Sequence, residues 1–154
     1  MSRRLTELFK GELALASGER SATVTAWLPA AKPVKVLALE DNLDTLQLWQ
    51  RYLAHSRFQL VGERDPQNAL TVVAAAQPDL ILLDIMMPGL DGWDLLAQLR
   101  HHPATSAIPV IVCTVLPQKE LALSLGASDF IRKPATRMGL LEALERQSAG
   151  SIPG

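Results

Sequence analysis

Five side chains that could do chemistry together stand where apolar runs stop. Glu40 and Asp41 follow Val34–Leu39, Asp84 follows Leu80–Leu83, Thr114 follows Ile108–Cys113, and Lys133, before Pro134, closes the run that starts at Asp129. Three carboxylates brought close together repel, and unaided they raise one another's pKa. A small hard cation removes that conflict. An all-oxygen donor set with no His or Cys nearby favours Mg²⁺, which keeps some waters and leaves room for a phosphate oxygen. A carboxylate can also attack phosphorus and carry it as an aspartyl phosphate. Such transfer needs mainly positioning and charge neutralisation. The Lys133 ammonium can pair with one phosphate oxygen and the Thr114 hydroxyl can donate to another, so the set is complete for phosphoryl acceptance at Asp84.

These groups meet only if the strand ends share one edge. From Pro33 onward, strand-length apolar runs at Val34–Leu39, Phe58–Val61, Leu80–Leu83, Ile108–Cys113 and Asp129–Ile131 alternate with helix-length segments. The helices are expected at Leu43–His55, Pro66–Gln77, Gly92–His101, Gln118–Leu125 and Thr136–Gln147. Leu43, Leu46, Trp49 and Leu53 recur at the three-and-four spacing of a helix face. Asp65-Pro66 suits a helix start. Leu80–Leu83 is apolar throughout, as befits a strand covered on both faces of a parallel sheet. Alternating strands and helices imply right-handed crossovers and an α/β, doubly wound sheet. In such sheets the working groups gather at the carboxyl ends of the strands.

The composition sets outer limits. At 154 residues, 48% hydrophobic, the chain suits one domain with a small appendage. A net charge of −1 gives no reason to expect nucleic acid or an anionic membrane as partner. No apolar run reaches the roughly 18–20 residues of a membrane helix, and no signal core follows Arg3 and Arg4; a cytoplasmic protein is expected. The single cysteine, Cys113, reads as a small buried hydrophobe. His55, His101 and His102 have no acidic neighbours at ligand spacing, and Trp27, Trp49 and Trp93 read as packing residues, Trp93 being near enough to the Asp84 loop to report on it by fluorescence.

Residues 33–147 resemble a receiver domain of two-component response regulators. The resemblance rests on Val-Leu-Ala-Leu-Glu-Asp-Asn (36–42), Asp-Ile-Met-Met-Pro-Gly-Leu-Asp-Gly (84–92), Cys-Thr (113–114) and Gly-Ala-Ser-Asp-Phe-Ile-Arg-Lys-Pro (126–134). It implies a flavodoxin-like fold, with five parallel strands in the order 2-1-3-4-5 and helices on both faces. It also implies Asp84 as phosphoacceptor, with Mg²⁺ held by Glu40, Asp41, Asp84 and the Met86 backbone carbonyl. Lys133 would be the phosphate partner, Thr114 the switch hydroxyl and Phe130 the switch aromatic. The implied donor is a histidine kinase or histidine phosphotransfer protein, and a homodimer is a further candidate assembly. Such a domain is not itself a kinase. It promotes its own phosphorylation and signals through the face of the fourth helix, fifth strand and fifth helix. No output segment follows residue 147 in this sequence, so protein–protein contact or onward relay is expected.

Three residues depart from the family pattern. Val115 stands where a small residue is usual and is expected to narrow access to the phosphate. Met86 and Leu116 occupy positions that flank the attacking water in the family, and their apolar character predicts slow autodephosphorylation. These departures sustain an alternative, an unphosphorylated docking or dimerisation module with an idle acidic pocket. A haloacid-dehalogenase-like phosphatase would need a second acid two residues after Asp84, where Met86 stands.

Residues 1–32 have a different texture. Glu12–Ala16 and Ala22–Leu28 read as a hairpin turning at Gly18, after a helix end at Leu5–Phe9 and before a linker at Pro29–Pro33. Leu5–Pro29 is similar to the last helix and hairpin of a histidine-kinase ATP-binding domain, as found before receivers in hybrid kinases. Its nucleotide-binding part is missing here, so ATP binding is not expected, and the chain is read as either a fragment of a hybrid kinase or a receiver keeping a vestigial hairpin. Residues 148–154 read as a flexible tail.

Overall fold

Side chains alternate across a strand, so one buried strand can feed two cores. The computed structural model describes residues 12–17, 22–27 and 32–149. Its elements in chain order are β1 (Glu12–Ser17), β2 (Ala22–Trp27), β3 (Val34–Leu39), α1 (Leu43–Leu53), β4 (Phe58–Glu63), a 3₁₀ turn (Pro66–Asn68) and α2 (Ala69–Ala76). Then come β5 (Leu80–Leu83), α3 (Gly92–His101), β6 (Val110–Thr114), α4 (Lys119–Ser124), β7 (Asp129–Arg132) and α5 (Arg137–Ala149). Strands β3 to β7 form a parallel five-stranded sheet in the order β4-β3-β5-β6-β7, the expected 2-1-3-4-5.

Leu80 and Leu82 of β5 enter a core with Leu46, Trp49 and Leu53 of α1 and Leu140, Ala143 and Leu144 of α5. Ile81 and Leu83 enter another with Ala69 and Val73 of α2, Leu95, Leu96 and Leu99 of α3, and Ala122 of α4. Helices α1 and α5 therefore cover one face, and α2, α3 and α4 the other. Burial on both faces explains why β5 carries no polar residue.

Several element ends differ from the expectation, each for a local reason. Helix α1 stops at Leu53 because His55 takes a left-handed φ of 62°. Asp65 caps a 3₁₀ turn rather than the helix itself, accepting from the Gln67 amide at 3.0 Å, and α2 ends at a left-handed Gln77. Pro109 holds Ile108 outside β6, which gains Thr114 at its other end. Helix α5 runs to Ala149, two residues into the expected tail; Thr136 Oγ1 accepts from the Gly139 amide at 3.0 Å near its start.

Backbone contacts divide the chain into two units, Met1–Lys32 and Pro33–Gly154. In the first, β1 and β2 pair antiparallel, with Glu12 opposite Trp27 and Ser17 opposite Ala22. The expected helix end at Leu5–Phe9, the turn at Gly18 and residues 150–154 lie outside the described residues. Among the described residues no helix is long and apolar enough to cross a membrane.

Cys113 is fully buried in the α1/α5 core, and burial pushes its thiol up to about 12. A thiol reagent at pH 8 should therefore modify the native protein only through unfolding. The unfolded thiol ionises near its ordinary value of 9.0, so between that pH and about 12 the folded state binds more protons. Stability falls as pH rises through this window, by up to about 1.4 kcal/mol per pH unit. In urea titrations at pH 8 and pH 10.5, Cys113→Ala should lose less of its midpoint than wild type.

Candidate functional site

The carboxyl ends of β3, β5 and β6 deliver polar side chains to one edge of the sheet. Hydrogen bonds between neighbouring strands fix the register. The Asp84 amide donates to the Leu39 carbonyl at 2.9 Å, and the Glu40 amide to the Glu63 carbonyl at 3.1 Å. On the other side, the Lys133 amide donates to the Thr114 carbonyl at 2.9 Å. Residues 93 positions apart in the chain thus meet side by side, with Lys133 Nζ donating to Glu40 Oε2 at 2.5 Å.

The same ammonium donates to Asp84 Oδ2 at 2.6 Å. Glu40, Asp41 and Asp84 each present a carboxylate oxygen, and these oxygens lie within 4.8 Å of one another. Glu40 and Asp84 are buried and Asp41 is half-buried. Burial pushes Glu40 above the usual carboxylate range, although the Lys133 ammonium and the Asn42 amide, 3.0 Å from Glu40 Oε1, pull the other way. Burial also works against the Lys133 charge, but hydrogen bonds to Asp84 and Glu40 outweigh it and hold its pKa above the usual lysine value. The outcome is a lysine kept charged among acids, one of which is strained by lack of water.

The loop after β5 completes the surroundings of Asp84. The Met86 amide donates to Asp84 Oδ1 at 2.9 Å, while the Met86 side chain is exposed. Asp91 caps α3 by accepting from the Trp93 amide at 2.8 Å. Gly92 opens that helix where a Cβ would overlap the Ile85 backbone, so the loop lies directly on the helix start. Thr114 ends β6 fully buried, with Oγ1 at 3.5 Å from the Leu116 amide. Phe130, opposite Val112 on β7, is half-buried against the α2/α3/α4 core. Val115 is exposed and borders a cleft with Trp49 and Lys133.

The structure thus brings Glu40, Asp41, Asp84 and Lys133 together, with Thr114 one strand away through its backbone bond to Lys133. Sequence reasoning missed Trp49, whose ring lies under the Lys133 ammonium, 5.7 Å from ring centroid to Nζ. Its place on the inner face of the helix that follows Glu40-Asp41 was the available signal.

Known proteins resemble this chain in sequence and fold. The Caulobacter vibrioides response regulator PleD is 35% identical over 103 residues, which cover 65% of this chain and 23% of PleD. The chain spans well under two thirds of the length of the curated relatives it matches. The BeF₃-activated N-terminal receiver domain of Klebsiella pneumoniae RstA superposes with a TM-score of 0.68 at 34% identity, covering 74% of this chain and 97% of that one. The receiver domain of the Pseudomonas aeruginosa sensor histidine kinase PA1611, solved with a magnesium ion in its active-site cleft, gives 0.67 at 25% identity and covers 76% and 98%. The model of the response regulator receiver domain family matches residues 36–145, with all or most of every strand of the parallel sheet and all four groups of the acidic cluster and its lysine among them. The chain therefore belongs to that family and carries a phosphoacceptor receiver domain of two-component signalling.

Proposed function

We propose that Asp84 is the phosphoacceptor, receiving its phosphoryl group from a histidine kinase or a histidine phosphotransfer protein. The observation that carries this reading is the position of Asp84, buried at a strand end between two further acids and a charged lysine. The donor set fits Mg²⁺: its carboxylate oxygens converge without any His or Cys. Glu40, Asp41, Asp84 and the Met86 backbone carbonyl would hold the ion, which when bound would neutralise charge on the phosphoryl oxygens.

An Asp84 carboxylate oxygen forms the new bond to phosphorus as the bond from phosphorus to the donor breaks, and the donor leaves with that electron pair. The negative charge of Asp84 then sits farther out, on the phosphoryl oxygens. Lys133 follows it, exchanging the carboxylate for a phosphoryl oxygen. Thr114 turns its hydroxyl to a second oxygen, and Phe130 moves inward into the space this opens. The two residues shift a pre-existing equilibrium rather than create a new state. The readout face is α4, β7 and α5, where Leu121, Leu123 and Met138 are exposed and suited to a partner or a second copy of the chain. Nothing in the site favours an idle pocket. The segment before the receiver is read either as a piece of a hybrid kinase or as a vestigial hairpin kept by a receiver; the antiparallel pairing of β1 with β2 fits both.

Intact mass after incubation with Mg²⁺ and acetyl phosphate tests the assignment. Wild type should gain one phosphoryl group and Asp84→Asn none; a phosphorylated Asp84→Asn protein would relocate the acceptor. The phosphorylated protein should then decay slowly, because exposed Met86 and half-buried Leu116 offer no polar group to the attacking water. A half-life of seconds at neutral pH, followed by mass, would contradict this.

A further inference from the structure

Lys133 has a third neighbour besides its two carboxylates. Its Nζ stands over the Trp49 ring at 5.7 Å from the centroid, inside cation–π range. Trp49 is only 1% exposed, fixed in the α1/α5 core, so the ring cannot turn away. Lys133 is itself largely shielded, with 16% of its side chain exposed. An ammonium on a four-carbon stem is mobile unless something limits it. A third carboxylate would limit it but would also compete for its N–H groups. An aromatic face attracts the charge without accepting a conventional hydrogen bond. The indole therefore fixes where the ammonium sits while leaving its hydrogens free to change acceptor, as phosphorylation of Asp84 requires.

We propose that Trp49 is a positioning residue for phosphoryl transfer, holding the Lys133 ammonium over the acidic cluster through the face of its ring. The proposal rests on the reading of Asp84 as phosphoacceptor. Trp49 touches no reacting atom and acts through Lys133 alone.

The test compares acetyl phosphate-driven phosphorylation rates, by intact mass in Mg²⁺, for wild type, Trp49→Leu, Trp49→Phe and Leu46→Ala. Leu46 shares the buried face of α1 but packs toward Gly62 and lies outside the Lys133 cleft. Trp49→Leu should react about three- to tenfold more slowly, Trp49→Phe should recover part of the loss, and Leu46→Ala should keep the wild-type rate. A wild-type rate for Trp49→Leu, or an equal slowing in Leu46→Ala, would overturn the proposal. A urea double-mutant cycle with Lys133→Met gives a second reading on the folded proteins. Non-additive losses for Trp49→Leu and Lys133→Met support the contact, and additive ones overturn it. Failure of wild type itself to be phosphorylated would sink the acceptor reading, an outcome distinct from wild-type phosphorylation that ignores Trp49.

Discussion

The site depends on one buried charge arrangement, the Lys133 ammonium shared between Glu40 and Asp84. Two buried carboxylates in hydrogen-bond reach of one cation cannot be left alone. Removing one member of such a group costs about 3–5 kcal/mol, mostly as the penalty of the unpaired charge that remains. The acids, the lysine and the strands that carry them are therefore mutually constrained. The lysine keeps the pocket closed in charge until a stronger claimant for the carboxylates arrives. A pocket built this way can exchange one cation contact for another.

Backbone register turns that constraint into geometry. Each of the strands β3, β5 and β6 ends within a residue of a functional side chain, and the parallel ladder aligns those ends. Gly92 and the Asp91 cap bring α3 against the loop that follows Asp84, which fixes the Met86 amide on Asp84 Oδ1. The apolar cores on the two faces carry out the complementary task. They leave Glu40, Asp84 and Thr114 little access to water, and low access is what makes charge placement here count.

Much of this was legible in the residues. The wholly apolar Leu80–Leu83 announced a central strand because burial on both faces removes any alternation, and Asp84 stood out against it. Glu40, Asp41 and Lys133 were legible only as a set with Asp84, since one carboxylate or lysine at a strand end is ordinarily a solvated turn or surface residue. Helix ends were less legible. The left-handed turns at His55 and Gln77 and the 3₁₀ turn after Asp65 reflect local backbone geometry that hydrophobic spacing does not encode. Trp49 was read as packing, correctly for its burial, but its contact with Lys133 joins α1 to the residue after β7. The place of Trp49 on the inner face of α1 hinted at the site, but its partner across the sheet edge is not encoded in local spacing.

Lys133 draws on two of the carboxylates that would hold Mg²⁺, and calorimetric titration with Mg²⁺ tests that sharing most directly. Wild type should bind one Mg²⁺, Asp41→Asn should lose most of that affinity, and Lys133→Met should bind more tightly because no ammonium competes for the carboxylates. Absence of Mg²⁺ binding in wild type, or an affinity unchanged by Lys133→Met, would contradict it.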